Sequence, residues 1–280
     1  MSRIGTQKTT DYPFFTGKKP RAIGHRGAAG EAPENTFLAF EKALSEGADL
    51  LELDVQLTAD EKVIIFHDPM LDRTTNGHGP VNACSLAEIK ALDAGFGFTM
   101  DGGKSFAYRG QGIQVPTLEE FLIAFPQAKA IIEIKPESPE IVEAVIHIIR
   151  RLRKADQVLL ASQSDSVLAQ VRRTLTYEQL AITTGFCYGD VASFIRCVTA
   201  GSLSEYCPPG QALQVPCEYE GLSIVNTTTV AAVHQLGLEI FVWTINDIGE
   251  MKRLLALGVD GIITDYPARL VRLLQRSKTD

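Results

Sequence analysis

From Arg21 onward, short β-branched runs alternate with amphipathic stretches of helical length, and this alternation limits the possible folds more than any single motif. The runs are Arg21–Gly24, Leu50–Leu57, Val63–His67, Ala130–Lys135, Val158–Ser162, Leu180–Phe186, Ala212–Val215, Ile240–Ile245 and Gly261–Thr264. Most are apolar almost throughout rather than at alternate positions, which marks strands buried on both faces. Helices fall between them. One runs from about Thr36 to Glu46 and ends at Gly47, with Asn35 read as its cap and, as a second reading, a secondary contact to the site. Pro139–Lys154 puts Ile141, Val145, Ile148 and Ile149 on one face and its cations at the C-terminus, and Asp247–Leu257 stops at Gly258. Parallel strands with helical crossovers make an α/β fold, and 280 residues suit a TIM-type (β/α)8 barrel, which commonly needs about 250.

Nine runs compete for eight barrel places. Only about eight residues, Thr58-Ala59-Asp60-Glu61 among them, separate the Asp54 region from the run leading to His67, and a parallel crossover needs about a dozen. Either those four form a hairpin turn or one run lies outside the barrel. The interval Asp68–Val115 holds eight glycines and little periodicity, as a small excursion over one barrel mouth or a lid would. Residues 1–20 read as an N-terminal arm, and 21–280 as a single domain with no internal linker.

Composition narrows the function. The chain is 45% hydrophobic and 22% charged, which excludes disordered, collagenous and coiled-coil proteins. No apolar run approaches the ~18 residues of a membrane span, and the first twenty residues have no apolar core of a secretion signal. A net charge of −7 disfavours a nucleic-acid binder. Five cysteines without a C-x-x-C pair are expected to be reduced thiols in a cytoplasmic protein.

Costly side chains gather at strand ends, where barrel enzymes keep their reactive groups. They are His25-Arg26 after the first run, Glu52 and Asp54 in the second, His67-Asp68 at the third, and Glu133 and Lys135 in the fourth. Alternation puts Glu52 and Asp54 on one strand face, and Glu133 and Lys135 likewise share a face. Three converging carboxylates repel one another unless a hard divalent cation resolves the charge, and oxygen ligands favour Mg2+ or Ca2+. His25 and His67 would flank the ion as proton donor and acceptor, and Arg26 and Lys135 would hold a phosphoryl group. Each residue also has a plainer reading. A histidine at a strand end is often structural, Glu-x-Asp is often a solvated face, and Glu133 with Lys135 could be only an ion pair. Co-occurrence on neighbouring strands favours the metal-assisted site.

The ordered series His25-Arg26-Gly27, Pro33-Glu34-Asn35-Thr36, Glu52-Leu53-Asp54-Val55, His67-Asp68-Pro69 and Leu71-Asp72-Arg73-Thr74-Thr75 resembles the glycerophosphodiester phosphodiesterase family. The likeness continues through Val115-Pro116-Thr117-Leu118-Glu119, Glu133-Ile134-Lys135, Val242-Trp243-Thr244-Ile245-Asn246 and Thr264-Asp265-Tyr266-Pro267. The resemblance implies a TIM barrel with a small subdomain inserted after the third strand, over about 69–115. It implies hydrolysis of small-molecule glycerophosphodiesters (deacylated phospholipids) to glycerol 3-phosphate and an alcohol. By position it makes His25 and His67 the catalytic pair, Glu52, Asp54 and Glu133 the ligands of one divalent cation, and Arg26 and Lys135 the phosphate contacts. Mg2+ and Ca2+ are the expected ions, with Mn2+ a third candidate. His25 as base and His67 as acid is the preferred assignment. Water and a substrate hydroxyl both stay open as nucleophile, as do head group and oligomeric state.

Other candidates are secondary. Trp243, the only tryptophan, suits a stack against glycerol or a choline-like cation, or equally a core position. Phe186 and Gln214 stand near strand ends and are candidates to line the pocket. A second reading keeps the site but takes lipids that retain an acyl chain, which requires apolar residues exposed at the barrel mouth. Tyr12, Phe14 and Phe15 with Lys18, Lys19 and Arg21 are the sequence's one hint of that, and a packing arm explains them equally. A non-catalytic relative would have lost part of the His/carboxylate set, and none is lost.

Overall fold

A computed structural model of the chain describes residue 9, residues 12–136 and residues 138–276. Most of the first half of the expected arm, residues 1–8, 10 and 11, lies outside the described residues, as do 137 and 277–280. Eight parallel strands form the wall: β1 (Arg21–Gly24), β2 (Leu50–Leu57), β4 (Ala130–Ile134), β5 (Val158–Ala161), β6 (Thr183–Thr184), β7 (Ala212–Val215), β10 (Glu239–Val242) and β11 (Gly261–Thr264). Their spatial order is β6-β5-β4-β2-β1-β11-β10-β7. Helices α1 (Phe37–Ser45), α3 (Leu118–Ala124), α4 (Pro139–Arg151), α5 (Asp165–Tyr177), α6 (Tyr188–Ala200), α7 (Thr227–Gln235), α8 (Ile248–Leu257) and α9 (Pro267–Arg276) return the chain between and after them. The architecture is the expected TIM-type barrel. No helix among the described residues is long and apolar enough to cross a membrane.

The ninth run is β3 (Val63–Ile65), which pairs antiparallel with β2 at Val55–Ile65, Gln56–Ile64 and Leu57–Val63. The spacer that holds Thr58-Ala59-Asp60-Glu61 is therefore a hairpin turn, and β3 also stands outside the barrel. The stretch that follows folds around Ile64, Phe66, Leu71, Val81, Ile89 and Val115, with one short helix, α2 (Leu86–Lys90). The expected strand Leu180–Phe186 shrinks to the two residues of β6. No ladder joins β6 to β7. Gln211 closes that seam by itself: its backbone N–H donates to the Thr184 carbonyl at 2.9 Å, and its Oε1 accepts from the Thr184 N–H at 2.9 Å.

The helix caps follow elementary chemistry, with one correction. Thr36, not Asn35, caps α1, its hydroxyl accepting from the Ala39 N–H. Asp247 caps α8, and Gly258 ends it in the left-handed conformation at φ +84.

Inside the wall, Ile23, Leu50, Ile131, Leu159, Ala212, Phe241 and Ile263 fill the lumen. Phe14 and Phe15, 1% and 5% exposed, close its floor. Lys129, just before β4, donates to the carbonyls of Pro13, Phe14 and Thr16, and buried Arg21 pairs with Glu239 beneath the rings. These aromatic residues therefore pack at the N-terminal end of the strands. They are not a docking patch at the opposite mouth, because their apolar area is already out of water.

Candidate active site

At the C-terminal strand ends, β1 delivers His25 through a turn that a glycine makes possible. Arg26 and Gly27 both take positive φ, +49 and +85, and a Cβ at Gly27 would sit 2.6 Å from the Ala39 carbonyl carbon. The turn aims the Arg26 N–H at Glu52 Oε2, 3.0 Å away. His25 Nδ1 meets Asp265 Oδ1 at 2.7 Å, and Asp265 is itself fixed by Asn246, whose Nδ2 donates to Oδ2 at 2.6 Å. This network assigns the proton to Nδ1 and leaves Nε2 for chemistry. Burial works against a charged His25, but Asp265 and Glu52 outweigh it and raise its pKa above the ordinary histidine value.

Glu52 and Asp54 project inward from β2, and Glu133 stands beside Asp54 in the β2–β4 register. One carboxylate oxygen from each lies within 4.8 Å of the other two. Burial, and then the neighbouring Asp54, push the Glu52 carboxyl up to about 7. Asp54 moves the other way: burial is overcome by Lys135 and Arg26, which hold it below the usual carboxylate range. Lys135 Nζ lies 3.0 Å from both Asp54 Oδ1 and Glu133 Oε1, and Arg26 Nε lies 3.2 Å from Asp54 Oδ2. Arg26 Nη1 also donates to Glu34 at 2.7 Å. An all-oxygen trio that two cations leave incompletely neutralised, as the raised Glu52 pKa records, fits a hard divalent ion such as Mg2+ or Ca2+.

His67 stands on the loop after β3, with Nδ1 2.5 Å from Asp68 Oδ1. Arg73 grips Asp68 through Nε and Nη2 and reaches Glu34 through both terminal nitrogens, tying the loop after β3 to the one after β1. Asp68 is held well below the carboxylate range, by Arg73 above all.

The seven expected residues, His25, Arg26, Glu52, Asp54, His67, Glu133 and Lys135, all border one cavity of about 160 Å3, which Trp243, Gln163 and Gln214 also line. Trp243 lies one residue beyond β10 rather than within a strand, its N–H bonded to the Val215 carbonyl, and it packs on the lumen core while facing the cavity. Phe186 is in the outer core instead, among Leu213 and Val215. Asn35 turns its amide to Asp54 Oδ2 at 2.9 Å, so it positions a carboxylate instead of a helix. Sequence reasoning missed Asp265, Asn246, Glu34 and Arg73 as site partners. The usable signal was Asp265 directly after the last strand, since a closed barrel brings that strand beside the first.

Known proteins resemble this chain over nearly its whole length. Residues 25–269 match the Glycerophosphoryl diester phosphodiesterase family. A glycerophosphodiester phosphodiesterase of Caldanaerobacter subterraneus subsp. tengcongensis is 32% identical, the match covering 92% of this chain and 99% of that one. Lysophospholipase D GDPD1 of Mus musculus is 26% identical over 89% of this chain and 84% of its own length. An Oleispira antarctica phosphodiesterase, solved in complex with the product sn-glycerol-3-phosphate, superposes with a TM-score of 0.73 at 27% identity, covering 92% of this chain and 97% of that one. With its motif residues gathered at one barrel mouth and the match running from His25 to Arg269, this chain belongs to the glycerophosphoryl diester phosphodiesterase family and is a phosphodiester hydrolase.

Proposed function

We propose that the protein hydrolyses glycerophosphodiesters to glycerol 3-phosphate and an alcohol, with a divalent cation and two histidines as the working groups. The observation that carries this reading is the carboxylate trio within 4.8 Å, flanked in one cavity by two imidazoles that each turn Nδ1 to a carboxylate. Glu52, Asp54 and Glu133 would hold the ion, Mg2+ or Ca2+ by donor chemistry. When bound it supplies Lewis-acid polarisation of a phosphoryl oxygen. Arg26 and Lys135 offset charge growing on the phosphoryl group, and preorganised cations of this kind act most strongly where water is excluded. Asp265 and Glu52 raise the basicity of His25, which suits it to deprotonate the nucleophile. His67 takes the donor role in this reading, its Nδ1 on Asp68 and Asp68 held in turn by Arg73. In the same reading, residues 21–280 form one catalytic domain with an N-terminal arm, and the five cysteines, none bridged among the described residues, fit the reducing cytoplasm.

One observation favours a wider substrate range. Tyr188, Tyr219 and Leu222 are 51%, 46% and 66% exposed on the segments after β6 and β7, at the cavity end of the barrel. The last two sit on the small hairpin β8 (Glu218–Tyr219) and β9 (Leu222–Ser223). Such a rim would accommodate an acyl chain, as a lysophospholipid substrate requires. The deciding assay measures glycerol 3-phosphate and head-group release from glycerophosphodiesters and lysophospholipids after chelation, then with Mg2+, Ca2+ or Mn2+ restored. Chelation and Glu52→Gln should each abolish turnover without unfolding the protein. Full activity after exhaustive chelation would remove the cation from the mechanism.

A further inference from the structure

Directly across the barrel from the carboxylate trio stands a side chain that the chemistry above does not use. In the strand order, β7 lies four places from β2 in either direction, so Gln214 faces Glu52 and Asp54 over the cavity it helps to line. It shares the inward face of β7 with Ala212, a lumen residue, and stands level with Phe241. Both polar atoms of its amide, Oε1 and Nε2, are out of solvent, and neither has a hydrogen-bond partner among the described residues. The neighbouring cavity amide differs, because Gln163 Oε1 accepts from the Tyr188 hydroxyl at 3.1 Å.

Space has been kept for this side chain. A Cβ at Gly185 would fall 2.2 Å from Gln214 Oε1, so the amide lies against the end of β6 where a larger residue would push it aside. A buried amide with no partner is costly, and a position that meets the cavity at that cost points to a ligand. The amide offers one acceptor and two donors close together. An alcohol hydroxyl both accepts and donates, so it satisfies each side of the amide. A quaternary ammonium can accept from neither N–H, and a phosphate oxygen would meet Oε1 unfavourably. With the phosphoryl group at the carboxylate, Arg26 and Lys135 side, the part of the substrate that reaches β7 is an organic substituent of the phosphate.

We propose that Gln214 is a specificity residue that hydrogen-bonds a hydroxyl of the substrate's glycerol moiety, an assignment that rests on the glycerophosphodiesterase reading. The test compares binding of glycerol 3-phosphate with that of n-propyl phosphate, the same monoester without hydroxyls, to the wild-type protein and to Gln214→Met, which keeps the side-chain volume and removes the amide. Wild type should prefer glycerol 3-phosphate by about ten- to a hundredfold, and Gln214→Met should lose most of that preference, because a site built around a hydroxyl penalises its absence. In kinetics the variant should raise KM for glycerophosphocholine more than it lowers kcat. Gln214→Leu serves if the methionine variant does not fold, and the wild-type comparison needs no variant. A wild type indifferent to the hydroxyls, a preference that survives in the variant, or equal loss of both ligands would overturn the assignment. A wild type that binds the two ligands as stated yet hydrolyses no glycerophosphodiester would overturn the activity reading and leave Gln214 as a hydroxyl contact.

Discussion

Asp265 and Asp68 hold the two histidines by the same atom, Nδ1, but the two carboxylates are themselves held by different partners. Asp265 is bound by Asn246, which keeps its second oxygen and its backbone N–H occupied while its charge stays available to the imidazole. Asp68 shares its charge with Arg73, and Arg73 shares its own with Glu34. The difference predicts a pH signature. A general base works when neutral, so kcat/KM should rise as pH passes the His25 pKa, which lies above the ordinary value. Asp265→Asn removes the charge that raises it. The acidic limb of the profile should then move to lower pH, and kcat should fall by about 10²–10⁴-fold as the imidazole loses its fixed tautomer. A pH–rate profile checks both. An unmoved limb would show that His25 is not the base.

The strands and helices place these residues, and the weakest element is β6. Its ladder is short, and the seam to β7 depends on Gln211, so Gln211→Leu should leave the buried Thr184 N–H without a partner and cost about 1–3 kcal/mol in chemical denaturation. The seam also marks where sequence reading stopped working. Continuous apolar runs such as Ala130–Ile132 and Val158–Ala161 announce themselves as doubly buried strands, and the structure places them so. Leu180–Phe186 looks similar in composition, yet only Thr183 and Thr184 join a ladder, because a side-chain amide replaces the next strand's backbone on one side. Nothing local records that. The site divided along the same line. His25, Glu52, Asp54, Glu133 and Lys135 were legible because a charge at the end of an apolar strand is costly and therefore conspicuous. Asp265 was not, because its meaning depends on β11 closing against β1, from which it is separated by most of the chain. Gln214 was legible only as a strand-end position, since its unpartnered amide is a property of the packed barrel.

At the scale of the molecule, the barrel has two unlike ends. One carries the polar cavity, and the other is closed by Phe14 and Phe15 over the Arg21–Glu239 pair. The two rings meet edge to face at 5.1 Å, and Phe15 reaches Phe241 in the lumen. Phe14→Ala should therefore destabilise the fold by about 3–5 kcal/mol, read from the denaturation midpoint, although the residue lies on the opposite side from the chemistry. Activity at a temperature where the variant is still folded should change little, because Phe14 is not among the residues that line the cavity. A chamber sealed beneath has a single doorway. Two fragments released in it must queue, the one lodged deeper waiting for the one nearer the rim, and each added product should inhibit according to its place in that queue.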